Sequence, residues 1–355
     1  MPRQTRRQAS AAVADVGSDQ GESPSVSDST TSDATSFFNT TFSLHRVSPL
    51  FLGSEALGPE RLQLLAARLR DTLVGDVVRG VEVGLHGDDA ALGNAGALEA
   101  VTIGWATAGS VVTAENKALQ LSLQYENALS IALLLPSPEG NQGGAAFAHL
   151  PLLLCRMSTP LKAVVTDFLS ATFDCRISPL RLGNSDVVEI WEAWIQEAGL
   201  PTSGLLAKDV VLTLGFRLPE VKKPTDDVAA DADADLDVSD GIGIKSIDII
   251  LPSHDLRRFL QAGQTLDRRG VADARRPFST AVARYIQHQL ALDMSHPGVR
   301  ITRIASGGFV LSEGRLKIFA LPDGTIATST HLDAVKRLVG DLVYRAKRIM
   351  PPARP

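Results

Sequence analysis

The sequence predicts an α+β protein, mostly antiparallel sheet with packed helices behind a disordered N-terminal tail. Three observations carry this. Short alternating or apolar runs bounded by Gly, Asn and Asp recur through residues 37–135 and again through 210–328. Amphipathic stripes of helical period lie among them without sustained strand–helix alternation, which argues against a parallel sheet. Residues 1–36 hold Ser, Thr, Asp and Ala with almost no large apolar side chain, so burial cannot offset the entropy of ordering them.

Order begins at Phe37–Phe51. Phe38, Thr40, Phe42 and Leu44 alternate with Asn39, Thr41, Ser43 and His45, the period of a half-buried strand, and Pro49 stops the run. A helix follows. Pro59 suits its first position, Leu62, Leu65, Ala66, Leu69 and Leu73 make one face, and Gly75 can end it. Strands are expected at Val77–Leu85, Leu98–Ala106, Ala118–Tyr125 and Ala128–Leu135, separated by turns as in a meander. Residues 158–172 read as a helix and 173–182 as a strand.

Residues 186–199 give the clearest helix. Asp186 and Glu189 resemble a capping box, Val187, Ile190, Trp191, Trp194, Ile195 and Ala198 share a stripe, and Gly199 and Pro201 stop it. The two tryptophans could form a binding surface, but core packing is the favoured reading. Val210–Leu218 and Lys245–Leu251 read as strands joined by a long acidic loop. A short helix from Ser253, a linker and a helix from Pro277 to about Met294 come next. Strands are then expected at Val299–Ala305, Phe309–Leu311, Arg315–Phe319 and Thr325–Thr328, with a turn at Pro322-Asp323-Gly324. A last helix begins near Thr330. Its apolar face is Leu332, Val335, Leu338, Val339, Leu342, Ala346 and Ile349, and its basic part Lys336, Arg337, Arg345, Lys347 and Arg348. The expected organisation is a tail over 1–36, an α+β region over 37–220, an acidic disordered loop over 221–244 and a second α+β region over 245–350.

The formal charge of −5 is unevenly distributed. Residues 226–240 carry seven Asp and no Lys or Arg, and the tail is also acidic. Without these two segments the body holds 32 basic and 28 acidic residues. A mildly basic body permits an anionic partner without requiring one. No apolar run approaches the ~20 residues that span a bilayer, and the polar N-terminus does not read as a signal peptide. Cys155 and Cys175 form no CxxC pair and read as buried thiols of a reducing compartment.

Chemistry is hard to find. Asp231, Asp233 and Asp235 open like a calcium loop, but Leu236 stands where the turn needs Gly and Ile242 where a bidentate Glu belongs. Gly241-Ile242-Gly243 lacks the third Gly of a dinucleotide fingerprint and runs into a strand. His288, Asp293 and His296 have metal-ligating atoms, but five residues on a helix point the first two apart. The expectation is therefore no enzyme, no catalytic, cofactor-binding or metal residues, no cofactor, and no small-molecule or membrane partner. An enzyme with a non-local site, built from such residues as His149, Asp174 and His254, stays open as an alternative.

One charge cluster suggests a surface. Arg257, Arg258, Arg268, Arg269, Arg275 and Arg276 lie close in sequence, diluted by Asp255, Asp267 and Asp273. They are candidates for DNA-backbone contact, with local ion pairs on an exposed helix as the competing reading. No aromatic residues interleave, so base stacking is not suggested.

Phe37–Phe51 (FFNTTFSLHRVSPLF), Val78–Leu85 (VRGVEVGL), Pro160–Leu182 (PLKAVVTDFLSATFDCRISPLRL) and Tyr285–Phe319 (YIQHQLALDMSHPGVRITRIASGGFVLSEGRLKIF) together resemble fungal members of the centromere protein L family. These are inner-kinetochore subunits of the constitutive centromere-associated network. The resemblance implies a curved antiparallel sheet and a nuclear, centromeric location. It implies a non-catalytic scaffold that heterodimerises with a centromere protein N homologue. Other inner-kinetochore subunits and the centromeric nucleosome or its DNA would be further partners. The strands of 299–328 are then the candidate partner edge, with Phe309, Leu311, Arg315, Lys317 and Phe319 as interface residues. Pairing of these strands within the chain is the alternative. A free-standing α+β DNA-binding protein is the other open reading.

Overall fold

A computed structural model describes residues 37–78, 95–106, 117–137, 146–201, 204, 206–216, 244–268, 276–321 and 327–348. The tail, the Asp-rich stretch, most of the strand expected at Val77–Leu85, Arg269, Arg275 and the Pro322 turn lie outside the described residues.

The first described elements are β1 (Thr41–Val47), β2 (Leu50–Phe51) and helix α1 (Pro59–Val78). Five strands follow: β3 (Leu98–Ala106), β4 (Ala118–Tyr125), β5 (Leu129–Leu135), β6 (Phe147–Ala148) and β7 (Leu152–Arg156). Then come α2 (Thr159–Phe173), β8 (Ile177–Pro179), α3 (Asn184–Ala198), β9 (Val210–Phe216), β10 (Ser246–Leu251), α4 (Ser253–Arg268) and α5 (Pro277–Leu290). The last elements are β11 (Val299–Ala305), β12 (Phe309–Ser312), β13 (Arg315–Ile318) and α6 (Ala327–Lys347). This is the α+β class the sequence predicts.

Eleven strands form one antiparallel sheet in the order β10-β9-β11-β12-β13-β1-β7-β5-β4-β3, with β8 beside the far half of β1. β2 and β6 make a separate ribbon. The opening strand is therefore central. Thr41–Ser43 pair with Arg315–Lys317, His45–Val47 pair with Ile177–Pro179 on the same side, and β7 lies on the other side.

The two faces of the sheet are covered unequally. On one face α3, α4, α5 and α6 enclose a core running from Leu135 and Leu154 through Phe42 and Leu44 to Leu311, Ile304 and Leu212. On the other, α1 and α2 bury Leu119, Leu121, Leu123, Leu134, Leu153 and Cys155. Strands β5 and β7 contribute to both cores, which is why they read LSIALLL and LLLCR with no polar alternation. Strands β9 and β11–β13 bury one face only, and their other face carries half-buried or exposed Thr213, Thr302, Arg303, Val310, Arg315 and Lys317.

The two tryptophans of α3 are core residues. Trp191 is 1% exposed and meets Phe278 edge-on at 5.1 Å. Trp194 packs on Phe309 at 4.8 Å. Gly308 lets the β11–β12 turn lie on Trp194, since a Cβ there would collide with the indole. Gly263 likewise admits the backbone of Pro277 where α4 crosses α5.

Several boundaries differ from expectation. Helix α1 continues through Gly75, so Val77 and Val78 are helical. A single Gly costs ~1 kcal/mol in a helix, too little to end one anchored by five buried residues. Helix α3 starts at Asn184 with Gly183 as its N-cap. Asp186 thus sits one turn inside, where its carboxylate accepts the Gly183 N–H at 3.2 Å. Asn184 instead bonds the β11 backbone, donating to the Val299 carbonyl at 2.7 Å and accepting from the Ile301 N–H at 3.0 Å. The helix from Ser253 is long rather than short. Ala327 and Thr328 open α6 instead of closing a strand. The strand expected over 173–182 shrinks to β8, because α2 runs to Phe173.

Candidate partner and nucleic-acid surfaces

The arginine cluster proposed for DNA divides on folding. Arg276 is taken up by structure. Its guanidinium donates to Ser185 Oγ at 2.9 Å and pairs with Glu189. Glu189 also holds Arg345 at 2.8 Å, and Asp186 meets the same Arg345 at 3.1 Å, so α3, α5 and α6 are tied by one ionic network. Arg257 donates to the Leu200 carbonyl from both Nε and Nη2. Arg258 is 80% exposed in its side chain and meets Asp255 at 2.9 Å, within its own helix. Arg268 is exposed in the last turn of α4. Among the described residues, the cationic surface left by the cluster is thus Arg258 and Arg268 on α4, with Arg257 partly committed.

The strands proposed as a partner edge have both edges occupied. β11 lies between β9 and β12, β12 between β11 and β13, and β13 between β12 and β1. Phe309 and Leu311 are buried in the core beneath α3 and α6. Arg315 and Lys317 point to the opposite, bare face, and Lys317 Nζ stands 5.3 Å from the centre of the Phe319 ring. What this hairpin offers a partner is a face. In the large sheet the outer strands β10 and β3 have an unpaired edge among the described residues, as does the short β8, which pairs only with β1. Ile250 of β10 is 61% exposed, and Ile244 just before it 70%. On β3, Trp105 is 40% exposed, with its indole N–H on the Leu57 carbonyl at 3.0 Å.

The residues considered for catalysis sit apart. Asp174 caps α2 in a left-handed conformation with φ 44°. His254 is in the first turn of α4, 3.5 Å from Asp255. His149 lines a pocket between β1 and the end of α6 that neither of the others reaches. Asp293 accepts from the N–H and hydroxyl of Ser295, which lowers its pKa, and His296 Nδ1 accepts the Gly298 N–H. Among the described residues no three His, Cys, Asp or Glu side chains are placed to hold a metal. No described helix is long and apolar enough to cross a membrane. Burial pushes the Cys155 thiol up to about 12 and the Cys175 thiol to about 11, so neither is a ready nucleophile.

Two features escape a reading by sequence. Glu192 is 2% exposed, and its carboxylate accepts the N–H of Phe278 at 3.0 Å and of Ser279 at 2.8 Å. It caps α5 from a neighbouring helix, and nothing local at Pro277 announces it. The second is a cleft where β1, β8 and the end of α6 meet, edged by Arg46, Arg176, Arg181 and Arg348. None of these four side chains has an ionic or hydrogen-bonded partner among the described residues.

Residues 36–347 fit the family model described as centromere protein L, from just before β1 to the last residue of α6. The chain belongs to the centromere protein L family. This is a structural kinetochore family, so the protein is a centromere and kinetochore protein of chromosome segregation. The search of curated proteins finds no match.

Proposed function

We propose that the chain is a non-catalytic inner-kinetochore scaffold subunit in the nucleus. It heterodimerises with a centromere protein N homologue and helps attach the kinetochore to centromeric chromatin. The observation that carries this reading is the family match over residues 36–347, which takes in every described strand and helix. Two surfaces support it. Edge strand β10 lies in the C-terminal region and presents exposed Ile250, so a partner strand added there would gain main-chain bonds from the edge and specificity from alternating side chains. The bare face beside it, with Arg315 and Lys317, would meet the same partner. Arg258 and Arg268 on α4 are the phosphate contacts.

Co-expression with the centromere protein N homologue of the same organism tests the partner. One stable heterodimer by size exclusion is expected, weakened by Ile250→Lys. Two separate peaks at micromolar concentration would overturn it. For DNA, Arg258→Glu and Arg268→Glu should each lower the salt slope of binding by about one. An unchanged slope would take α4 off the DNA surface.

A further inference from the structure

We infer that the arginine-edged cleft between the β1–β8 corner and the C-terminal end of α6 docks an extended acidic peptide of a partner protein, with an apolar side chain of that peptide as anchor. The cleft is two adjoining pockets, about 380 and 740 Å³, which share Arg46, Ser178 and Arg348. The smaller is floored by Val47, Pro49, Leu150, Pro151 and Ala346, and Arg176 stands at its rim. The larger adds Arg181. Among the described residues, the one carboxylate lining either pocket is Asp186, already held by Arg345. Four guanidiniums without a described counter-charge therefore surround an apolar seat.

Each part of that arrangement selects a ligand. Guanidinium forks match carboxylates as paired donors. The floor rewards an aliphatic side chain with the free energy of burial. Nucleic acid fits less well. No described Phe, Tyr or Trp lines either pocket, so an unpaired base would have no described ring to stack on. A duplex would contact the arginines through phosphates and leave the apolar floor unfilled. Nor is strand addition to β8 the mode. Its three-residue edge ends in Pro179, which has no N–H to donate, so recognition rests on side chains. The cleft also lies five strands from β10, roughly 24 Å at the usual strand spacing. It is therefore separable from the β10 edge, and neither Arg315 nor Lys317 lines it.

The test uses the full chain and a short fluorescein-labelled peptide with two leucines set among glutamates, followed by fluorescence anisotropy. Arg176, Arg181 and Arg348 are exposed, so Arg176→Glu, Arg181→Glu and Arg348→Glu should fold, which thermal melting checks. Binding by the wild type is expected, weakened roughly tenfold by each reversal. Exchanging the peptide's leucines for serines should cost a similar factor. Equal binding of the leucine and serine peptides would reduce the cleft to unspecific charge and overturn the proposal. So would displacement by duplex DNA whose own affinity falls with the same three reversals, which would make the cleft a DNA surface. Binding seen only after deletion of residues 226–240 would assign the cleft to the chain's own acidic segment and overturn it too. Absence of binding by the full chain would end it.

Discussion

The half of the sheet around β5 and β7 and the half around β9 and β11 are built from similar strands but buried differently. The first is packed between helices on both sides. The second is covered by α3–α6 on one side and by no described helix on the other. A strand with two covered faces has no surface left to offer, whereas a strand with one covered face can be both core and interface. The difference concentrates recognition in the second half. There an alternating pattern such as Val299, Ile301 and Ile304 inward and Arg300, Thr302 and Arg303 outward leaves charge and hydroxyls exposed.

The comparison is most sharply broken by placing one residue type on the same sheet face in each half. Leu153→Lys puts an ammonium beneath α1 and α2 and should destabilise by roughly 4 kcal/mol or more. Val310→Lys, on the bare half of that face, should cost about 1 kcal/mol or less. Urea unfolding measures both. Equal losses would mean that the second half is covered after all. The second half is also predicted to lean on its single helical layer. Glu192→Ala leaves the Phe278 and Ser279 amides buried without an acceptor and should cost about 3 kcal/mol, read from the same transition. Ion pairs on the bare face, such as Arg303 with Asp248 at 3.7 Å, should cost less than about 1 kcal/mol when broken.

A smaller, pH-dependent effect comes from the same layer. His331 is 2% exposed, packed edge-on against Trp194, and its Nε2 donates to the Phe319 carbonyl at 2.9 Å. Its Nδ1 is buried without a partner, and burial lowers its pKa below the ordinary 6.5. The folded form therefore resists a proton that the unfolded chain accepts. Its contribution to stability is complete above about pH 6.5 and is lost as pH falls toward the depressed folded value. The urea midpoint should drop between about pH 7.5 and pH 5.5. His331→Leu should shrink that drop, and the remainder belongs to His45, which burial and Lys162 shift the same way. A drop unchanged in the variant would place the titration elsewhere.

The sequence was legible where one face is wet. The stripe of α3, the alternation of β1 and the exact span of β11 could all be read because polar residues mark the solvent side. β7 was missed for the opposite reason. Leu152–Cys155 is apolar throughout and lacks the alternation that identifies a strand. Unlike β5, which is also buried on both faces but follows Glu126-Asn127, it has no Gly, Asn or Asp beside it to mark a turn. The surfaces fared worse than the fold. Neighbouring arginines in the chain were dispersed by helix geometry and ion pairs, Arg276 into the network with Glu189, Arg257 onto a carbonyl. The arginines that do converge, Arg46, Arg176, Arg181 and Arg348, come from three distant segments. Only the basic end of the last helix gave notice of them.

The pairing of β1 with β13 sets a schedule for synthesis. Phe42 is among the first core residues to leave the ribosome, yet its partner Leu316 is among the last. At ordinary elongation rates the interval is on the order of tens of seconds. Through it, one edge of the central strand and the apolar side of β5 and β7 that faces α3 and α6 wait uncovered. The nascent chain should therefore depend on a holding chaperone. Premature termination before Arg315 should yield an aggregating product rather than a smaller folded one.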